Sequence, residues 1–153
     1  MDTNALYKIT QGLYILGSKD GNRAVGSLVD AVMQVANQPL VLALSCHNKS
    51  FTKSCIEKTG CFSLSALSLE TSNLIIENFG FYSSKNRNKW DFVDHSFYNG
   101  IPFLTDNIAV FVCDVMQTIV FESNTLFLGR VVMAKDNKDR EPQIGRASCR
   151  ERV

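Results

Sequence analysis

Residues 26–52 constrain the fold of this chain more than any other stretch, because two apolar runs there flank a proline. The runs 27–35 and 40–45 have the length and the β-branched or aliphatic content of strands. Gln38-Pro39 between them indicates a turn. The second run is apolar on both faces and therefore predicts a well-buried strand.

The polar loop 46–52 follows the second run and opens a helix that is predicted for 53–59. Ser50 or Thr52 can cap the start of that helix. Free backbone N–H groups at a helix start attract phosphate through hydrogen bonds and the helix dipole. The two hydroxyl groups, with a lysine beside each, therefore indicate an anion site, and a plain helix cap is the alternative.

The remainder of the chain is predicted to form short strands joined by short loops, which favours an antiparallel Greek-key barrel over a parallel sheet. Asp20-Gly21 indicates a hairpin turn, and Gly60 indicates the end of the helix. Further strands are predicted at 13–16, 23–35, 61–67, 94–98, 101–104, 108–121 and 125–134, and short helices at 2–10 and 71–79. The predicted class is all-β with short helices.

The bulk composition is that of one ordinary globular domain, with 153 residues, 45% of them apolar and 20% charged. A net charge of +1 provides no basic field for nucleic acid, and no apolar run reaches the roughly 20 residues of a membrane-spanning helix. The cysteines show no C-x-x-C spacing, which argues against zinc and iron sites and for a reducing compartment. Because no signal peptide is visible, we expect a cytoplasmic protein.

The last residues of the chain, 142–153, resemble the translation of a common sequencing adapter. We therefore expect one domain over 1–141 and an artefactual tail over 142–153. The tail contains one of the five cysteines, which leaves Cys46, Cys55, Cys61 and Cys113 in the domain.

Residues in three stretches match one family pattern: Gly26, Gln34, Val35, Pro39, Ser50, Thr52, Thr125, Leu126, Phe127, Gly129 and Val131. They resemble the flavin reductase-like family, the FMN-binding split barrels. In that family the corresponding stretches are similar to N-G-x-x-x-N-T-x-x-Q-V-T-x-x-P-P, N-K-x-N-x-T and T-L-F-x-G-x-V. The resemblance implies an antiparallel Greek-key split β-barrel that binds FMN.

The same resemblance implies an oxidoreductase that passes reducing equivalents from NAD(P)H through FMN to a protein or small-molecule acceptor. It also implies a homodimer. Some members of the family carry a C-terminal rubredoxin domain, so a rubredoxin-type redox partner or a lost rubredoxin domain is a further expectation. A non-enzymatic FMN-binding electron-relay module and a barrel without cofactor are the alternatives.

By this resemblance, the binding site is made from separate stretches of the chain. The ring lies against Ser27, Leu28, Asp30, Ala31 and Val32; the ring or ribityl chain meets Cys46, His47 and Asn48; the phosphate binds Ser50 and Thr52. Near the phosphate or an incoming nicotinamide nucleotide lie Ser83, Lys85 and Lys89. No catalytic side chain and no metal is expected, because the flavin ring itself accepts a hydride.

Two departures from the family pattern bear on the chemistry. Asp30 stands where relatives have an asparagine, and it either faces solvent at an edge or contacts the flavin, where its charge would lower the reduction potential. Asn124 stands where relatives often have a histidine; if that histidine assists nicotinamide docking, we expect slow use of NAD(P)H or use of another donor. Aromatic residues that either stack on a nicotinamide or form a lid over the barrel are Phe81, Tyr82, Trp90 and Phe92.

Overall fold

The computed structural model describes residues 1–137, 142 and 144–145. Within these residues the strands are β1 (Gln11–Gly12), β2 (Tyr14–Asp20), β3 (Arg23–Val29), β4 (Val32–Asn37), β5 (Leu40–His47), β6 (Cys61–Ala66), β7 (His95–Tyr98), β8 (Ile101–Leu104), β9 (Ala109–Val120), β10 (Asn124–Asp136) and β11 (Ile144–Gly145). The α-helices are α1 (Phe51–Thr59) and α2 (Asn73–Gly80), and 3-10 helices span Thr3–Lys8 and Lys89–Phe92. Strands dominate, as the predicted class requires.

One sheet of seven strands carries the fold, in the order β3-β2-β6-β9-β10-β5-β4 with antiparallel neighbours. β3 and β4 are the two edges of this sheet, yet only Asp30 and Ala31 separate them along the chain. Because the three Cα steps between the two strands span at most about 11 Å, the sheet must curl until its edges are neighbours. No ladder joins those edges, and this arrangement confirms the predicted split barrel.

The single strand predicted over 23–35 is wrong, because the chain turns a corner between β3 and β4. At this corner Val32 N donates to Asp30 O at 2.9 Å, and Ser45 N donates to Ala31 O at 3.0 Å. Asp30 is 6% exposed, so the solvent-facing alternative for its carboxylate is also wrong. Periodicity does not reveal the corner, since apolar residues continue on both sides of it.

The turn and the helix end that two glycines predict are confirmed, whereas the α-helices start at other residues than predicted. Gly21 and Gly60 have positive φ angles of 63° and 77°, which confirms the hairpin turn and the end of α1. α1 begins at Phe51, two residues earlier than predicted. The N-cap of α2 is Ser72 rather than Thr71, because the Ser72 hydroxyl accepts the capping hydrogen bond at 3.1 Å.

Short structural elements lie near both ends of the chain. The first segment, Thr3–Lys8, is a 3-10 helix without a buried residue, so it does not pack as an amphipathic helix. Within the predicted tail, β11 pairs with β1, and Pro142 forms a bridge with Ser68. The other residues of that tail lie outside the described part of the chain, and the domain boundary stays a prediction.

The core divides into two clusters on opposite faces of the sheet. Successive side chains of a strand alternate between faces, so in β2 Leu16 packs in the barrel interior with Phe62 and Phe127. Ile15 points to the other face and belongs to the cluster of Trp90. α2 and the segment that follows it therefore cover the outside of the barrel at β2 and β3.

A buried lysine ties the segment after α2 to the edge of β3. Lys89 is 1% exposed, and its Nζ donates to Gly26 O and to Phe79 O, both at 2.9 Å. Burial, reinforced by the positive charge of Arg87, lowers the pKa of Lys89 from 10.5 to about 8. The folded protein therefore holds this proton less tightly than the unfolded chain does.

We predict that the stability of the wild type relative to the variant Lys89→Met rises with pH above about 8. Between the folded pKa and the ordinary value of 10.5, the unfolded state binds more protons, so the free energy of unfolding increases with pH. Urea unfolding should show the difference between the two proteins growing by roughly 2 kcal/mol from about pH 7.5 to about pH 9.5. A difference that does not change with pH would contradict the lowered pKa.

Candidate functional site

A cavity of about 570 Å³ opens at the corner where the two edges of the sheet meet. Its volume falls in the range of about 300–1,000 Å³ that is typical of sites for small ligands. Four parts of the chain line it: the end of β3 with the corner, the end of β5 with the start of α1, the N-terminal segment, and Asn124 at the start of β10. The curling of the sheet brings these parts together, although they are separate in sequence.

The corner wall of the cavity contains a hydroxyl group without a partner. This wall consists of Ser27, Leu28, Val29, Asp30 and Ala31. Ser27 Oγ is buried and has no hydrogen-bond partner among the described residues. A buried polar atom left without a partner costs about 1–3 kcal/mol, so an unpartnered hydroxyl on a residue that lines a cavity needs an explanation, and a bound ligand supplies one.

The second wall combines the end of β5 with the N-cap of α1. Ser50 lines the cavity and also caps the helix, with its Oγ accepting from Lys53 N at 3.3 Å. Cys46 and His47 lie in the same lining. Burial, partly offset by the charge of Lys53, raises the pKa of the Cys46 thiol to about 12, so this thiol is protonated near neutral pH and is a poor nucleophile.

Two asparagines connect this wall to the hairpin between β9 and β10. Asn124 lines the cavity, and its Nδ2 donates to Ser45 Oγ at 3.4 Å. Asn48 lies outside the lining, where its Nδ2 donates to two main-chain carbonyls of the hairpin and its Oδ1 accepts from Thr125 Oγ1. The polar atoms of the Asn48 side chain are thus used within the protein, and they hold the loop against the hairpin.

The third wall comes from the N-terminal segment, which sequence reasoning missed. Its residues in the lining are Thr3, Leu6, Tyr7, Ile9 and Gln11. Leu6 and Ile9 are 62% and 56% exposed, so they offer an apolar surface beside the cavity. The only signal in the sequence was this pair of apolar residues in a segment too short to bury them.

Most of the predicted site residues line this one cavity: Ser27, Leu28, Asp30, Ala31, Cys46, His47 and Ser50. Val32 lies outside the lining in β4, and Thr52 is buried in α1. Ser83 and Lys85 are exposed on the segment after α2, and Lys89 is buried in that segment. The structure does not bring these five residues to the cavity, and a role for them in binding stays a prediction.

The polar groups in the lining are hydroxyl, amide, imidazole and carboxylate groups. The described residues contain no group of three or more His, Cys, Asp or Glu side chains that could hold a metal ion. None of the described helices combines the length and the apolar character that crossing a membrane requires. Free thiols in the described part of the chain are Cys46, Cys55, Cys61 and Cys113.

The sequence matches relatives along most of its length. The family model of the flavin reductase like domain matches residues 6–147. The chain is 34% identical over 143 residues to a ferric-chelate reductase (NAD(P)H) of Archaeoglobus fulgidus, covering 92% of this chain and 85% of that protein. It is 31% identical over 144 residues to a high molecular weight rubredoxin of Moorella thermoacetica, covering 93% of this chain but only 63% of that protein.

The fold is also found among solved structures. The NADH:FAD oxidoreductase SgcE6 of Streptomyces globisporus C-1027 has a TM-score of 0.85 at 16% identity, with 94% of this chain and 86% of that chain covered. At this identity the similarity shows the fold alone. Because the family model spans nearly all of the described residues and both relatives exceed 30% identity over most of the chain, this protein belongs to the flavin reductase like domain family of oxidoreductases.

Proposed function

We propose that the protein binds FMN in the cavity at the corner and passes reducing equivalents from NAD(P)H through it to an acceptor. The observation that carries this proposal is that Ser27, Asp30 and Ser50 line one cavity, although the first and last of them are far apart in sequence. The cavity combines a helix start with a buried hydroxyl and an apolar wall. FMN combines a phosphate with a flat ring that has polar and apolar edges, so its chemistry matches this lining.

The start of α1 supports a phosphate-binding role for Ser50. The first N–H groups of a helix lack partners within the helix, and together with the helix dipole they favour an anion. Lys53 Nζ is paired with Glu57 Oε1 at 2.9 Å, which offsets much of its charge, whereas Lys49 is exposed. Backbone N–H groups, the Ser50 hydroxyl and Lys49 are therefore the groups that we assign to the phosphate.

The corner supports a ring-binding role for Ser27. Its buried hydroxyl gains a hydrogen-bond partner when a ligand with polar edge atoms enters the cavity. Leu6 and Ile9 offer apolar surface to the ring from the N-terminal segment. When bound, the flavin supplies hydride acceptance and electron transfer, and the protein binds and orients it. Asp30 in the same lining opposes the build-up of negative charge on a ligand.

The relatives support our choice of donor and acceptor. The name of the ferric-chelate reductase (NAD(P)H) supports NAD(P)H as the donor and a ferric chelate as a small-molecule acceptor. The high molecular weight rubredoxin supports a rubredoxin-type protein as the alternative acceptor. We assign FMN rather than FAD because the sequence resembles FMN-binding barrels and one helix start offers a site for one terminal phosphate.

The protein should take up FMN and should reduce it with NADH. Titration with FMN followed by gel filtration should leave a yellow protein, and anaerobic addition of NADH should bleach its visible flavin band much faster than that of free FMN. Protein that takes up no FMN would contradict the proposal. Flavin-loaded protein that ignores NADH and NADPH but accepts electrons from a redox partner would favour the non-enzymatic relay module instead.

Ser50→Asp should weaken FMN binding relative to Ser50→Asn. Both residues can cap α1, but only aspartate places a negative charge beside the phosphate. We expect at least a tenfold higher Kd for FMN, about 1.4 kcal/mol, in the aspartate variant. Riboflavin lacks the phosphate, so its Kd should be the same for both variants, and equal FMN affinities would remove Ser50 from the phosphate site.

We propose that a second copy of the chain covers the exposed edge of β4. This edge strand carries Met33 and Val35, which are 63% and 44% exposed. Exposed apolar side chains on an unpaired edge favour association with another chain. The hairpin between β9 and β10 adds Val120 and Phe121 at 67% and 57% exposure, so the apolar surface is not confined to one strand.

Sedimentation velocity should show a dimer for the wild type and a monomer for the double variant Met33→Asp with Val35→Asp. Leu74→Asp is the matched control, because Leu74 is 74% exposed but lies on α2. It should leave the dimer intact. A monomeric wild type at micromolar concentration would contradict the proposed homodimer.

A further inference from the structure

Two side chains hold the main chain of β3 immediately before it enters the cavity. Ser84 Oγ accepts from Gly26 N at 2.8 Å and donates to Gly26 O at 2.7 Å. Lys89 Nζ donates to the same Gly26 O at 2.9 Å. Both side chains are almost fully buried, with residue exposures of 2% and 1%. Gly26 is therefore pinned by hydrogen bonds that solvent does not reach.

The segment after α2, which carries Ser84 and Lys89, takes the place of a missing neighbour strand. β3 is an edge of the sheet, so its outward main-chain groups need partners that no strand provides. Trp90 Nε1 donates to Val25 O at 2.9 Å, which extends the contact by one residue. Arg23 Nη1 donates to Ser84 O at 2.6 Å and anchors the segment in return. The segment and β3 thus hold each other in register.

Gly26 allows this close approach because it has no side chain. A Cβ placed there would lie 2.6 Å from Leu16 O of β2, which is closer than packed atoms tolerate, and 3.0 Å from Trp90 Nε1, which is a tight contact. The next residue is Ser27, which lines the cavity and whose buried Oγ has no partner among the described residues. A shift of β3 at Gly26 would therefore move the ring-binding wall directly.

We propose that Lys89 and Ser84 are positioning residues of the flavin site: they fix Gly26 so that Ser27 and the corner present their polar groups to the ring. They act through β3 and do not touch the ligand. This inference rests on the proposed function, and it replaces the sequence prediction that places Lys89 near the phosphate or the nicotinamide nucleotide. We assign phosphate binding instead to the start of α1, which forms another wall of the cavity.

The experiment compares FMN with riboflavin, which differ only in the phosphate. Lys89→Met and Ser84→Ala should each raise the Kd for both flavins by the same factor, about tenfold or 1.4 kcal/mol, because the phosphate is not involved. The visible circular dichroism of the bound flavin should change as well, since the ring sits differently against the corner. Lys135→Met is the matched control, because Lys135 is an exposed lysine of β10 outside the cavity lining, and it should change neither reading.

Folding is checked by far-UV circular dichroism and thermal melting of each variant. If Lys89→Met does not fold, Ser84→Ala and Lys89→Arg are compared instead. The arginine keeps a buried hydrogen-bond donor, so Lys89→Arg should retain more affinity for both flavins than Ser84→Ala does. Loss of FMN binding with riboflavin binding intact in Lys89→Met would make Lys89 a phosphate ligand and overturn the proposal. Unchanged affinities and spectra in folded variants would overturn it too. Wild-type protein that binds neither flavin would instead contradict the proposed function.

Discussion

Curling of the sheet at Asp30 and Ala31 is the constraint on which the rest of the structure depends. These two residues join strands that lie at opposite edges of a seven-stranded sheet, so the edges must approach each other. The approach leaves a gap rather than a ladder, because β3 and β4 do not pair. The cavity opens at the corner, and its lining comes from the end of β3, the end of β5 with the start of α1, the N-terminal segment and Asn124. The curling of the sheet and the position of the candidate site therefore both follow from the short connection at Asp30 and Ala31.

The main-chain N–H and C=O groups at the open edge of β3 also need hydrogen-bond partners, and side chains provide them. Ser84 and Lys89 supply hydrogen bonds to Gly26 that a neighbouring strand would otherwise supply, and Trp90 adds one to Val25 O. Burying an ammonium group for this purpose disfavours its charged form, which appears as a pKa of about 8 for Lys89. Two carbonyl acceptors on Nζ compensate part of that cost. These side chains hold the edge of β3 in a defined position, and the wall of the cavity that continues from β3 depends on that position.

The chemistry expected of this family does not require a nucleophilic side chain from the protein. Cys46 lies in the lining, but burial keeps its thiol protonated, and the other lining groups are suited to hydrogen bonding. In the proposed function, the corner would orient the ring of the cofactor and the start of α1 would bind its phosphate. We therefore propose binding and orientation, rather than catalysis, as the role of the side chains of the site.

The sequence by itself determined the elements whose signals are local: the turns at Gly21 and Gly60, the strand-rich class, and a hydroxyl cap for α1 at Ser50 or Thr52, of which the structure uses Ser50. Those features depend on a few neighbouring residues, so short patterns reveal them. Tertiary structure alone decided that Asp30 is buried at a corner, that Leu6 and Ile9 form a wall of the cavity, and that Lys89 binds Gly26. Each of these facts involves partners far away in the chain, and only the curled sheet brings such partners into contact.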